Sequence, residues 1–121
     1  MLRLFLAVTP AALVLSVAIF VLMTVNGFAC QMVTASYYGA ESGNRTASGL
    51  RFDGSQWLVA HKSLPFGTKL RLTYRGRSVI VPVEDRGPYI AGRTLDLSEA
   101  VARALGTKAS GTARICMEIT R

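Results

Sequence analysis

The stretch TKLRLTYRGRSVIVPVE, residues 68–84, decides the fold. Its first half, Thr68–Tyr74, alternates apolar and polar residues, and this period of two predicts a strand with one buried face. The residues predicted on that face are Leu70, Leu72 and Tyr74. Arg75-Gly76-Arg77 is a tight connection to a second alternating run, Ser78–Glu84, so the two strands predict an antiparallel hairpin. Pro82 marks an edge or an irregularity, because proline cannot donate to a strand ladder.

Short runs of the same kind continue on both sides of this hairpin, separated by turns rich in glycine, proline and serine. The last run, Ala113–Thr120, alternates again, and the residues predicted on its apolar face are Ile115, Met117 and Ile119. One helix is predicted over Ser98–Gly106, with a serine N-cap and a closing glycine. Its predicted core residues are Val101, Ala104 and Leu105. Six short strands and one short helix predict a mainly β fold, a closed β-barrel.

The N-terminal segment differs from the rest of the chain. Residues 4–29 carry no charge and follow Arg3, an arrangement typical of an export signal. The apolar run approaches the ~20 residues that cross a bilayer, so a cleaved signal peptide and a retained anchor helix are both open. Gly27 and Ala29 precede Cys30 as in a cleavage site, and lipidation of Cys30 is a third alternative. We therefore assign residues 1–29 to a signal peptide or membrane anchor and residues 30–121 to one domain.

The chain has two cysteines, Cys30 and Cys116, at the two ends of this domain. An exported domain meets an oxidising compartment, so a disulfide between them is one prediction. The alternative is a buried Cys116 and a processed Cys30.

The charge balance predicts an anionic partner, with a solvated basic surface as the alternative. Fourteen Lys and Arg residues stand against seven Asp and Glu, for a net charge of +7. The basic residues are dispersed, and the chain is predicted to be exported, which argues against nucleic acid. Anionic envelope polymers such as peptidoglycan, or lipid headgroups beside an anchor, fit better. One histidine and two distant cysteines offer no zinc site, and no cofactor motif is present, so we expect neither metal nor cofactor.

Six strings follow one another between residues 35 and 98, and together they are specific: ASYYG, RTASG, RFD, AHKSLPFGT, DRGP and RTLDLS. In this order they resemble the rare lipoprotein A (RlpA) family, from about Thr34 to Ile119. The resemblance implies a six-stranded double-psi β-barrel, also seen in expansins. It further implies a periplasmic or cell-envelope lytic transglycosylase that cleaves peptidoglycan strands between MurNAc and GlcNAc, leaving 1,6-anhydro ends, in cell-wall remodelling.

Such an enzyme needs a carboxylic acid that protonates the leaving oxygen while an oxocarbenium-like centre develops. Asp85 is the first candidate, because it ends an apolar strand and enters a Gly-Pro turn, and because it matches the family's catalytic Asp. The alternative is an Asp that braces its turn or pairs with Arg86. His61 is the only histidine and matches a second active-site position of the family, so we assign it to hold substrate or to tune Asp85.

Four further residues are predicted to bind substrate: Tyr38, Arg45, Asp53 and Lys62. Strand alternation turns one of Tyr37 and Tyr38 toward the groove, and we choose Tyr38, with Trp57 and Tyr89 as further rings. Arg45 and Lys62 can meet substrate carboxylates. Asp53 can equally brace a turn. Asp96 of RTLDLS is expected to hold a loop rather than to take part in chemistry.

Leu50 departs from the family, whose members carry a Glu eleven residues before the histidine. This difference keeps an alternative function open, a non-catalytic glycan-binding or expansin-like wall-loosening module. A structural protein that uses the barrel for protein contacts at the membrane is a third alternative.

Overall fold

A computed structural model of the chain describes residues 30–120 as a closed barrel of six strands. The strands are β1 (Gln31–Tyr38), β2 (Val59–His61), β3 (Lys69–Tyr74), β4 (Arg77–Asp85), β5 (Leu95–Ser98) and β6 (Ala113–Ile119). The only α-helix among these residues is α1 (Glu99–Leu105), and a short 3-10 turn covers Ala40–Ser42. Around the barrel the strands follow the order β1-β5-β2-β4-β3-β6. The predicted mainly β barrel with one short helix is confirmed.

The predicted hairpin is β3 paired with β4, in antiparallel register from Lys69 opposite Pro82 to Tyr74 opposite Arg77. Its turn needs left-handed backbone at two consecutive residues, and Arg75 and Gly76 adopt φ of 46° and 80°. Positive φ at both positions matches a type I′ turn, whose twist suits a two-residue hairpin. β2 pairs with β4 only from Val83 onwards, so the strand has β3 on one side alone at Pro82.

The barrel interior is filled by aliphatic side chains from every strand and from α1. Those that are completely buried include Val59, Leu70, Leu72, Val81, Val83, Leu95, Val101, Leu105 and Ile115. Burial of a Val, Leu or Ile side chain contributes about 1.5–3 kcal/mol. Ser98 caps α1 through a hydrogen bond that its hydroxyl accepts from the Val101 amide, and Gly106 ends the helix at φ 87°, as predicted.

Two of the predicted core positions are wrong. Ala104 is exposed, and Ala102 is buried in its place, because the helix presents the face of Val101, Ala102 and Leu105 to the barrel. Ile119 is 57% exposed although Met117 is buried, because it is the last residue of β6, where the interior ends.

The segment between β1 and β2, residues 39–58, forms no strand and instead covers the outside of the barrel. It buries a second apolar cluster of Tyr38, Phe52, Leu58 and Ala60. The rings of Tyr38 and Phe52 stack with centroids 4.7 Å apart. The segment closes on itself where Gly54, at φ +97°, approaches Gly39 so closely that a Cβ would lie 3.3 Å from the Gly39 Cα. This covering segment forms one side of a groove on the outer face of the barrel.

Cys30 and Cys116 form a disulfide, with Cα atoms 5.5 Å apart. It joins the start of β1 to its antiparallel partner β6. A sulfur in a disulfide cannot also carry a thioether-linked lipid, so the bond competes with lipidation of Cys30. The predicted signal peptide or anchor, residues 1–29, lies outside the described residues. Within residues 30–120, no helix combines the length and apolar character that crossing a membrane requires.

Reduction of the Cys30–Cys116 bond is expected to lower the free energy of unfolding by roughly 3–4 kcal/mol, because the bond closes a loop across nearly the whole barrel. Urea unfolding of the purified chain with and without dithiothreitol measures the loss. The double variant Cys30→Ser/Cys116→Ser is the control and should not respond to the reductant. A wild-type midpoint that does not move on complete reduction would contradict this expectation.

Candidate active site

A row of four side chains crosses the outer face of the barrel from β1 to β4. Ser36 lies opposite Asp96, Asp96 opposite Ala60, and Ala60 opposite Asp85 in the strand register. Residues directly opposite one another on neighbouring strands point to the same face of a sheet. Their chain neighbours on the other face, such as Leu95 and Val59, fill the core. Alternation on β5 therefore brings Asp96 to this surface. On β4, where Val83 points into the core, a one-residue shift in register with β2 brings Asp85 to the same surface.

A groove of about 480 Å³ opens over this row. One wall is the covering segment, which contributes Glu41, Arg45 and Phe52, and the other is the loop after β4, which contributes Pro88, Tyr89 and Ile90. Arg93 lines the groove next to β5. The groove therefore has a polar, acidic floor, basic side chains at its margin and an exposed aromatic ring, since Tyr89 is 80% exposed.

Asp85 is held at one end of the floor by three hydrogen-bond donors. Its Oδ2 accepts from the Tyr38 hydroxyl at 2.7 Å, and its Oδ1 accepts from the amides of Ala47 at 2.8 Å and Arg86 at 2.9 Å. An ionised carboxylate offers only acceptors, so three donors suit it. The covering segment, β1 and β4 together fix the position of both oxygens.

Asp96 has a different environment on the same floor. Its Oδ1 accepts one hydrogen bond, at 3.1 Å, from the hydroxyl of Ser36, which is itself buried. Burial raises the pKa of Asp96, and the charges of Asp85 and Glu41 act in the same direction, whereas the Ser36 hydrogen bond and Arg93 oppose the rise. A carboxyl group that holds its proton at higher pH is suited to act as a general acid.

Arg86 does not form an ion pair with Asp85, so that alternative from the sequence is wrong. Its guanidinium donates to the carbonyls of His61 at 3.3 Å and Leu64 at 2.8 Å, and it lies 4.0 Å from the centre of the Phe66 ring. Only its backbone amide contacts the Asp85 carboxylate. Arg86 thus ties the loop after β2 to the strand end that carries Asp85.

The structure brings Asp85, Tyr38 and Arg45 together in the groove but not His61. His61 is paired with Leu95 and follows Ala60, so strand alternation turns its side chain to the face opposite the groove. Its Nδ1 accepts hydrogen bonds from the amides of Ser63 and Leu64, and it makes no hydrogen bond to Asp85. These contacts assign His61 to the structure of its loop and do not support a direct role beside Asp85.

The other two predicted ligands also lie outside the groove. Asp53 braces its turn by accepting from the amide of Ser55 at 2.9 Å and from its hydroxyl. These bonds lower the pKa of Asp53, whose side chain is fully exposed. Lys62 is exposed on the loop after β2 and does not line the groove. The turn-bracing alternative for Asp53 fits the structure better than substrate binding.

The predicted rings behave differently from one another. Tyr38 is only 9% exposed, stacks on Phe52 and donates to Asp85, so its ring face is not free for a sugar, contrary to our expectation of a stacking ring. Burial and Asp85 raise its pKa, so it remains a hydroxyl donor. Trp57 donates to the carbonyl of Ile80 on the outside of β4 and does not line the groove. Tyr89 is the ring that remains available.

Leu50 belongs to the turn that supplies a donor to Asp85. Its amide donates to the Thr46 hydroxyl, and its carbonyl accepts from the Thr46 amide at 2.8 Å. That turn presents the Ala47 amide to Asp85. The Leu50 side chain is 46% exposed and is not among the groove-lining residues, so the carboxylate of the resembling family has no counterpart at this position.

Sequence reasoning missed Asp96, Ser36, Glu41 and Arg93 as members of the site. Asp96 was expected to brace a loop, but its only side-chain hydrogen bond among the described residues is with Ser36, and the helix is capped by Ser98. A signal was present, because Asp96 is two residues before an N-cap and alternates with Leu95 and Leu97. The alternation predicts that Asp96 points outward, but only the pairing of β5 with β1 and β2 shows which side chains lie beside it.

The comparisons with known proteins agree with this architecture. A sequence profile of the family described as lytic transglycolase matches residues 31–117. The probable endolytic peptidoglycan transglycosylase RlpA of Synechocystis sp. is 43% identical over 90 residues, which are 72% of this chain and 28% of that protein. The endolytic peptidoglycan transglycosylase RlpA of Pseudomonas aeruginosa is 46% identical over 88 residues, 70% of this chain and 26% of that protein. The chain thus spans little more than a quarter of these two relatives.

Solved structures share the fold. A Streptomyces papain inhibitor superposes with a TM-score of 0.64 and 26% identity, over 77% of this chain and 96% of that one. A Clavibacter michiganensis expansin, a mutant in complex with cellohexaose, superposes with a TM-score of 0.62 and 26% identity, over 77% of this chain and 51% of that one. The barrel is a double-psi β-barrel, as the resemblance implied.

His61 is expected to titrate below its ordinary pKa of 6.5, because burial, Arg86 and Lys62 all lower its pKa. The unfolded chain then takes up the proton first, so stability is lost as the pH falls below about 6.5. Nitrogen-detected NMR should show the neutral tautomer with the proton on Nε2, since Nδ1 accepts two amides. Lys62→Ala should raise the pKa. A His61 pKa at or above 6.5 would disprove this account.

Asp96→Asn is expected to raise the free energy of unfolding at neutral pH. Because the folded protein raises the pKa of Asp96, its stabilising contribution is present below the ordinary value of 3.8 and is lost as the pH rises through the folded pKa. The gain should therefore vanish in acid. Asp85→Asn is the matched variant and should lose about 1–3 kcal/mol, since it removes the acceptor of the Tyr38 hydroxyl and leaves the Ala47 and Arg86 amides with an uncharged acceptor. Urea unfolding at both pH values tests the pair, and equal effects of the two substitutions would contradict it.

Proposed function

Because the chain belongs to the lytic transglycolase family, whose profile covers its barrel from 31 to 117, we propose that it is a peptidoglycan lytic transglycosylase. It cleaves the bond between MurNAc and GlcNAc in glycan strands and leaves 1,6-anhydro ends. The observation that carries the proposal is the pair of carboxyl groups, Asp85 and Asp96, on the floor of one groove. Two relatives named as peptidoglycan transglycosylases over the same region support the substrate.

The two carboxyl groups are proposed to divide the work. Asp96, whose pKa burial raises, donates its proton to the glycosidic oxygen as the bond to the leaving sugar breaks. Asp85, held by Tyr38, Ala47 and Arg86, provides the negative charge that stabilises the oxocarbenium-like centre and receives the proton of the attacking C6 hydroxyl. The sequence had suggested Asp85 as the acid, and the donors around it argue for the opposite role.

No residue outside the groove is needed for this chemistry. The C6 hydroxyl of the muramic residue is the nucleophile, so no water has to be activated. Tyr38 is proposed as a positioning residue for Asp85, and Tyr89 as the exposed ring on which a sugar stacks. His61 supports the loop that Arg86 anchors. Leu50 does not line the groove, so this mechanism, which uses two carboxyl groups, does not require the Glu that Leu50 replaces.

A non-catalytic glycan-binding module is the second candidate. Leu50 favours it, because the resembling family carries a carboxylate there, and so does the fold shared with an expansin that binds cellohexaose. In that case the groove would bind glycan strands and loosen their packing without cleaving them. The barrel and the groove would serve both functions.

We also propose that the domain works in the cell envelope, with residues 1–29 as signal peptide or membrane anchor. The uncharged run 4–29 supports export, and a disulfide across the barrel is favoured outside the reducing cytosol. Disulfide formation at Cys30 favours a cleaved signal or an anchor over lipidation.

The full chain, incubated with purified glycan strands, is expected to release anhydro-oligosaccharides that mass spectrometry detects. Asp85→Asn and Asp96→Asn should each reduce the rate by at least about a hundredfold, since each removes an acid, base or charge-stabilising group. Asp53→Asn is the matched control, because Asp53 lies outside the groove, and it should retain the wild-type rate. Sacculus binding by every variant without any anhydro product would sink the enzyme and leave the glycan-binding module.

A further inference from the structure

The groove is lined by as many carboxyl groups as guanidinium groups, but the two kinds of group differ in how many hydrogen bonds they make to the protein. Three carboxyl groups line it, those of Glu41, Asp85 and Asp96, and each accepts a hydrogen bond from the protein itself. Of the three guanidinium groups, that of Arg86 is occupied by two backbone carbonyls and an aromatic ring. Two guanidinium groups, on Arg45 and Arg93, remain at the margin.

Neither remaining guanidinium forms an ion pair within the described part of the chain, although the charge of Arg93 lowers the pKa of nearby Asp96. The ion pairs found in residues 30–120 are Arg71–Glu118, Arg103–Glu99 and Lys108–Glu99, all outside the groove. Arg45 donates one hydrogen bond, at 3.2 Å, to the Gly49 carbonyl, and Arg93 makes no side-chain hydrogen bond among these residues. Each retains several N–H donors directed by a planar fork, the geometry that binds a carboxylate through two bonds.

We infer that Arg45 and Arg93 form an anion subsite of the groove that binds a carboxylate carried by the glycan. The inference rests on the proposed function, because it takes the polymer to be peptidoglycan. The muramic sugar bears a lactyl carboxyl group, which is a free carboxylate where no stem peptide is attached, and stem peptides bear carboxylates of their own. The carboxylates of the floor would repel such a group, and the positive charges of Arg45 and Arg93 would offset this repulsion, so that a carboxylate-bearing glycan can bind.

The subsite makes affinity depend on the charge of the sugar as well as on its shape. A neutral chain of GlcNAc would meet the same floor and the same Tyr89 ring but would leave both guanidinium groups without a partner. Arg45 and Arg93 are therefore proposed as specificity-determining residues that select muramic-acid-containing strands.

Calorimetric titration of the full chain in the cold tests the subsite with four tetrasaccharide probes. These are GlcNAc–MurNAc with free lactyl carboxylates, the same with carboxyls converted to methylamides, the same with stem peptides, and chitotetraose. We expect the free-carboxylate probe to bind roughly tenfold more tightly than the methylamide and chitotetraose. Arg93→Gln and Arg45→Gln should remove that difference and leave methylamide binding unchanged. Arg93→Lys should restore part of it, because charge returns without the fork.

Arg114→Gln is the matched control, since Arg114 is exposed on β6 and does not line the groove, and it should behave as wild type. If only the peptide-bearing probe shows a dependence on Arg93, the subsite stands and its carboxylate comes from the stem peptide. Equal affinity of wild type and both glutamine variants for every probe would overturn the inference.

The outcome is separable from that of the proposed function. Arginine-dependent binding without anhydro products would preserve the subsite and remove the enzyme, whereas cleavage that ignores both arginines would preserve the enzyme and remove the subsite.

Discussion

In a closed barrel, each strand must send alternate side chains inward to fill the core, and everything else in this structure depends on that constraint. Leu95 and Leu97 fill the interior from β5, so Asp96 between them has to point outward. The same rule places Ser36 and Ala60 on the outer face, because they are its partners in register. The groove floor is thus the reverse side of the hydrophobic core, and its geometry is as rigid as the packing beneath it.

The two carboxyl groups differ because the covering segment reaches one of them and not the other. Residues 46–50 fold into a turn that directs the Ala47 amide at Asp85, and Tyr38 on β1 donates its hydroxyl to the same carboxylate. Asp96 is covered by neighbouring groups but receives only the Ser36 hydroxyl. Two side chains of the same type therefore have different surroundings: three donors hold Asp85, whereas burial raises the pKa of Asp96, which suits it to an acid role. The likeness to an expansin shows that the same barrel also occurs in a protein that binds a neutral oligosaccharide, cellohexaose.

Much of the structure could be predicted from sequence, and the successes share one property: they depend on local sequence signals, either periodicity or capping residues. Alternation over residues 68–84 predicted the hairpin, and the serine and glycine around α1 predicted its ends. The errors occurred at the ends of elements. Ala104 and Ile119 fit their local pattern but lie outside the barrel interior, because no local pattern fixes which neighbouring helix residues face the barrel or where its interior stops. For the site, the ordered motifs pointed to Asp85, Tyr38 and Arg45, which the structure does bring together.

By itself, the sequence determined that the chain forms a small β-barrel after an uncharged N-terminal run, and that its motifs belong to one family. Only the tertiary structure decided which polar residues meet. It turned His61 away from Asp85, left Asp53 and Lys62 outside the groove, and brought Asp96 onto its floor. The physical reason is register. Strands separated by tens of residues pair in one alignment, and a shift of one residue would exchange the faces of the sheet.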